Sequence, residues 1–180
     1  DDVIPLSLHV DYWDYIGWKD EFAVPQHAER QRAYARAAGR RSVYTPEMVV
    51  NGVTDIVGAK PMELSDAIAK HRQSPSPVKL EIVRRDGDLW VTAHRIGAVP
   101  GPMVVQMLRY QPARESRITR GENAGKTLVY VNVAQDWKTL GAWDGAEPFE
   151  VKTPVPGDNP LVVLIQGENA GPILAASRLR

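Results

Sequence analysis

The spacing of apolar and polar positions changes character several times along the chain. From Val3 to Val10, Ile4, Leu6, Leu8 and Val10 fall on one side and Pro5, Ser7 and His9 on the other, the period of two expected of a strand. Asp11 to Phe22 loses that period and gathers aromatic and acidic residues, so it reads as a loop. Pro25 suits the first turn of a helix that runs to about Ala38 and is stopped by Gly39, with Arg30, Arg32, Arg36, Arg40 and Arg41 as a solvated face. Glu47 to Val50 and Val53 to Val57 flank Asn51-Gly52, a dipeptide that accepts the positive φ angles of a hairpin turn. Pro46 cannot donate to a ladder, so it belongs at the head or edge of that hairpin, and the Thr45-Pro46 bond is expected to be cis. Pro61 to Gln73, with Met62, Leu64, Ala67, Ile68 and Ala69, predicts an amphipathic helix begun by proline.

Ser74-Pro75-Ser76-Pro77 interrupts the pattern and reads as a linker. Beyond it the chain is strand-like: 78–84, 89–96, 103–110, 127–133, 149–153, 161–166 and 173–177, with glycine, proline and asparagine between. The order before the linker, strand, helix, Thr-Pro, strand, Asn-Gly, strand, helix, is that of the C-terminal half of a thioredoxin-like domain. The expected fold class is therefore α/β plus all-β: a partial thioredoxin-like domain over 1–73, then a small antiparallel β-sandwich or barrel over 78–180.

Composition narrows the chemistry. The 180 residues are 43% hydrophobic and 24% charged, with 22 basic and 22 acidic side chains, so no net field draws nucleic acid or anionic lipid. Apolar runs such as Leu161 to Ile165 are strand-sized, and neither nucleic acid nor membrane is an expected partner. There is no cysteine, which removes disulfides, thiolate metal sites and a thiol nucleophile from these residues.

The motifs divide into imitations and one constellation. Gly121-Glu122-Asn123-Ala124-Gly125-Lys126-Thr127 resembles a phosphate loop, but it has three residues between its glycines where four are needed, and a strand follows rather than a helix. It reads as a turn, as does its echo at 167–171. His9, Asp11, Asp14, Asp20 and His27 could be assembled around a hard metal ion, but their spacing matches no ligand pattern, and a hydrogen-bonded His and Asp network fixing the loop is the preferred reading. No cofactor and no metal are expected. Tyr12, Trp13, Tyr15 and Trp18 lie within seven residues, a cluster that fits either the packing of a core edge or the rim of a substrate cleft, and they follow a strand whose C-terminal end is where α/β sites collect. The candidate substrate-binding set is Tyr44, Thr45, Pro46, Trp18, Trp13, Asp11 and His9, with Trp18 on the rim of a cleft and Trp13 in the core.

The stretches His9 to Asp20, Glu29 to Tyr34, Tyr44 to Gly52 and Gly171 to Ala176 resemble the DUF1223 family of bacterial secreted proteins. The resemblance implies a thioredoxin-like part, a β-rich C-terminal region and a periplasmic or secreted location. Members carry a strand, a helix and a Cys-x-x-Cys motif ahead of the position of Asp1, and this chain departs from the pattern by lacking them, so the expectation is a portion of a longer protein. Two functions follow. One is a thiol-disulfide oxidoreductase with its cysteines upstream and a protein or peptide thiol or disulfide as substrate. The other is a non-catalytic module that binds a peptide or protein.

Overall fold

A computed structural model describes residues 3–121 and 123–180. Two helices, α1 (Pro25–Ala37) and α2 (Pro61–Arg72), each open on proline, where the missing N–H would have had no helical partner. Between them β1 (Glu47–Val50) and β2 (Thr54–Val57) form a two-stranded antiparallel hairpin through Asn51-Gly52, both at positive φ. The rest is antiparallel sheet: β3 (Val78–Arg85), β4 (Asp88–Arg95) and β7 (Phe149–Pro154) in the order 3-4-7, and β5 (Met103–Arg117), β6 (Thr127–Trp143), β8 (Leu161–Gly167) and β9 (Ile173–Leu179) in the order 6-5-8-9.

The main core lies between these sheets. Val78, Leu89, Val91 and Ala93 from one meet Met103, Val105, Met107, Leu161, Val163 and Ile165 from the other. β4 buries Leu89, Val91 and Ala93 and leaves Trp90 exposed, as a period of two demands. The molecule is thus mostly antiparallel β structure with few helices.

The N-terminal segment departs from the expected strand. It makes one parallel bridge, Ser7 to Val133 at the β6 edge. Its apolar side still finds a core, since Ile4, Leu6 and Leu8 pack on Leu108, Tyr110, Ala134, Val162 and Leu164 of the four-stranded sheet. A period of two reports an extended chain with one covered face, and that requirement is met here by packing across a sheet rather than by pairing within one. Of the phosphate-loop imitation, Glu122 lies outside the described residues. Around it the chain turns from β5 to β6, with the Gly125 N–H on the Ile118 carbonyl at 2.8 Å.

The helical part is fastened to the four-stranded sheet at two places. Arg30 of α1 donates to Gln166 Oε1 of β8 at 2.6 Å and stacks 4.1 Å from the centre of the Trp137 ring of β6. The Ile173 N–H donates to the Asn51 carbonyl at 2.8 Å, bringing the hairpin turn against the β8–β9 turn.

Candidate functional site

Trp13 precedes a short 3-10 turn at Asp14–Ile16 that is closed by Gly17 in the left-handed region at φ 105°. Its indole Nε1–H donates to Thr45 Oγ1 at 2.8 Å, which ties the aromatic loop to the loop leading into β1. The Trp13 side chain remains 45% exposed, and Tyr15, 79% exposed, stacks beside it with ring centres 6.2 Å apart and planes inclined by 26°. Thr45 and Pro46 are exposed, and the peptide bond between them is cis. Trp13 therefore joins Tyr15 on one side to Thr45 on the other, with Pro46 next in the chain, and these four exposed residues are called the ledge.

Beneath the ledge lies a polar network. Gln31 of α1 accepts from the Tyr12 hydroxyl at 2.7 Å, and its Nε2 donates to the Tyr44 carbonyl at 2.6 Å and to Glu47 Oε2 at 2.7 Å. The Glu47 side chain is 3% exposed, and Arg40 donates to its other oxygen at 2.5 Å. Arg40 also lies 3.4 Å from Asp55 and 4.8 Å from the centre of the Tyr44 ring. The Tyr44 hydroxyl donates to Asp55 Oδ2 at 2.7 Å. Loss of solvent, that bond and the neighbouring carboxylates push the Tyr44 pKa up to about 12. Apart from the buried Arg40 Nε, which has no hydrogen-bond partner among the described residues and lies 3.4 Å from Asp55, these groups bond one another and tie the loop of Thr45 and Pro46 to α1 and β2.

The remaining expected residues are placed elsewhere. Trp13, expected in the core, is instead exposed on the ledge, and Trp18, expected on the rim, is partly buried and joins none of its bonds. The reason is the 3-10 turn, which turns Trp13 outward immediately after the covered segment. His9 stands at the base of the loop, bonded through Nδ1 to Asp20 Oδ2 at 2.6 Å, and Asp11 offers its carbonyl to the Asp14 N–H at 3.0 Å. Among the described residues no group of three or more His, Cys, Asp or Glu side chains is arranged to hold a metal ion. Sequence reasoning missed Gln31, Arg40 and Asp55 as supports of the ledge. Glu47 did leave a signal: a lone carboxylate opening an apolar strand needs a buried partner, and Arg40 supplies it.

The chain belongs to the family described as "Protein of unknown function (DUF1223)", whose profile matches residues 1–166. It is similar to a structural-genomics crystal structure of a protein from Agrobacterium tumefaciens, with 31% identity and a TM-score of 0.79, over 98% of this chain and 80% of that one. No curated protein matches it.

Proposed function

We propose that the chain is a binding module that takes an extended segment of another protein onto the ledge of Trp13, Tyr15, Thr45 and Pro46. The observation that carries the reading is the Trp13 side chain: its one polar atom is already bonded to Thr45 while much of its surface is left to solvent. A ring immobilised before binding loses little entropy on contact, which is how aromatic anchors come to dominate interfaces. Charge contributes little to recognition here, because Arg40, Glu47 and Asp55 pair with one another below the surface. Apolar and aromatic side chains of the partner fit this surface best.

A thiol-disulfide reaction would need a thiolate, and these 180 residues contain no cysteine. In a longer chain with Cys-x-x-Cys ahead of Asp1 and a thioredoxin-like sheet completed by the preceding strand, the same ledge would hold the substrate's backbone. Export to the periplasm or beyond belongs to this proposal and rests on the family resemblance. No helix among the described residues is long and apolar enough to cross a membrane.

The test is selection of random decapeptides on the immobilised chain, followed by affinity measurement with Trp13→Ala. A hot-spot aromatic costs about 2 kcal/mol or more on truncation, roughly a 30-fold loss of affinity, with thermal stability little changed. Peptides that bind Trp13→Ala as tightly as the parent would refute the ledge.

A further inference from the structure

The sheet β3-β4-β7 turns one face to the main core and the other to solvent. An antiparallel sheet with one covered face puts polar side chains on the other, yet the middle row of this solvent face is Val83, Trp90 and Lys152, side by side on the three strands. Trp90 is 47% and Val83 43% exposed. The Lys152 ammonium stands 5.1 Å from the centre of the Trp90 ring and is bonded to Asp88 at 2.9 Å, so its charge is met within the protomer and the apolar surface is left over.

Charge is laid out symmetrically about that row. Along β3, Glu81 lies two residues before Val83 and Arg85 two residues after it, all three on the solvent side. Beside them on β4, Thr92 is paired with Glu81 and Asp88 with Arg85. Opposite charges at equal distances on either side of an apolar centre are what a surface needs in order to match a copy of itself.

We propose that this face is a contact between two copies of the chain, related by a twofold axis that runs along the row of Val83 and Trp90. The axis crosses the strands, so each strand lies antiparallel over its own copy and positions are reversed about the row. Glu81 of one copy then falls over Arg85 of the other, Thr92 falls over Asp88, and Val83 and Trp90 meet themselves. Two ion pairs flank a centre of two indoles and two valines, at the separation of about 10 Å and the inclination of about 30° found in stacked sheets. A twofold axis along β4 would instead set Glu81 over Glu150 and Val83 over Lys152, like charge on like and apolar group on cation, so the charges select the first arrangement. Three strands about 4.8 Å apart and eight residues of about 3.3 Å rise make a face of about 14 Å by about 26 Å, which is small for an interface and places the pair among weak, transient associations. The proposal is independent of the ledge, which belongs to the helical part fastened to the other sheet.

The twofold relation gives the test. Glu81→Arg sets arginine over arginine at both flanks, Arg85→Glu sets glutamate over glutamate, and each should weaken self-association by about tenfold or more in sedimentation velocity. Mixed in equal amounts, the two variants recover both oppositely charged contacts, and a heterodimer should form at concentrations where each variant alone is monomeric. Trp90→Ala should weaken the association by about 30-fold or more, while Trp13→Ala should leave it unchanged. Positions 81, 85 and 90 are exposed, and circular dichroism checks that each variant keeps the parent fold. A parent that stays monomeric up to about 1 mM overturns the proposal. So does self-association indifferent to Trp90→Ala, which would lie elsewhere on the molecule, or a mixture no more associated than its components. Peptide binding that depends on Trp13 would stand under any of these results, and its absence would leave the pairing of Glu81 with Arg85 untouched.

Discussion

Arg30 should be the most costly polar side chain of α1 to remove. Its guanidinium donates to Gln166 Oε1 at 2.6 Å, to the Tyr34 hydroxyl at 2.7 Å and to Gln106 Oε1 at 3.3 Å, with the Trp137 ring 4.1 Å below it. None of these partners is a carboxylate, and burial draws its pKa below the usual guanidinium value. Arg30→Ala strands the oxygens of Gln166 and Gln106, at about 1–3 kcal/mol for each buried acceptor left without a donor. It also forfeits a cation–π contact of about 1–2 kcal/mol, offset in part by the desolvation that the charge no longer suffers. The net expectation is a loss of about 2–4 kcal/mol, or roughly 5–15 °C in Tm for a chain of this size. Arg30→Met with Gln166→Leu should cost less than the sum of the single changes by about 1–3 kcal/mol, because the pair removes both ends of the Arg30–Gln166 bond together, while Gln106 Oε1 and the Gly171 carbonyl lose their donors equally in the single and double changes. Urea unfolding followed by circular dichroism measures all four corners of that cycle. A loss under about 1 kcal/mol for Arg30→Ala, or strict additivity, would show that the joint is held by apolar packing instead.

Gly52→Ala should destabilise by more than about 1–3 kcal/mol, since φ is +76° and an added Cβ would stand 2.7 Å from the Gly171 carbonyl; loss of hydrogen-exchange protection at the Ile173 amide would register it, and unchanged protection would refute it. An absorbance titration should show one tyrosine of six ionising at about 12, and that step should vanish in Tyr44→Phe. At Asp20 burial alone would raise the pKa, but the His9 bond, the Phe22 N–H and the His9 charge together hold it below 3.8. Its contribution is thus complete above that value and lost as pH falls through the lower folded one. Urea midpoints between pH 5 and pH 2 should accordingly fall less steeply in Asp20→Asn than in the parent.

Local chemistry was legible where a single residue dictates its own backbone. Pro25 and Pro61 announced the helices, Asn51-Gly52 the hairpin and Pro46 its entry, and the structure places all of them at those positions. The cis Thr45-Pro46 bond was foreseen as well. Lengths set by tertiary partners were not legible. β5 was expected to end near Tyr110 and continues to Arg117, because Pro112 lies beyond the end of β8 pairing, where its missing N–H deprives no neighbour. β6 was expected to end at Val133 and runs on to Trp143, with Asn132 and Asp136 at positive φ within it. Of the site, the proline and the aromatic cluster were found but the supports were not. Gln31 is one polar residue among several on α1, and only the arrival of Tyr12 and Tyr44 from either side distinguishes it.

That arrangement makes the ledge conditional. The Gln31 amide can serve Tyr12, Tyr44 and Glu47 together in one orientation only, oxygen toward the Tyr12 hydroxyl and nitrogen toward the other two. The aromatic loop, the first helix and the proline loop must all be in place before that orientation is satisfied. The placing of Trp13 against Thr45 therefore depends on three segments at once rather than on either loop, and a chain in which they are not assembled would not display the surface to a partner. The amide works as a coincidence detector: the ledge reports that three separately encoded segments have assembled.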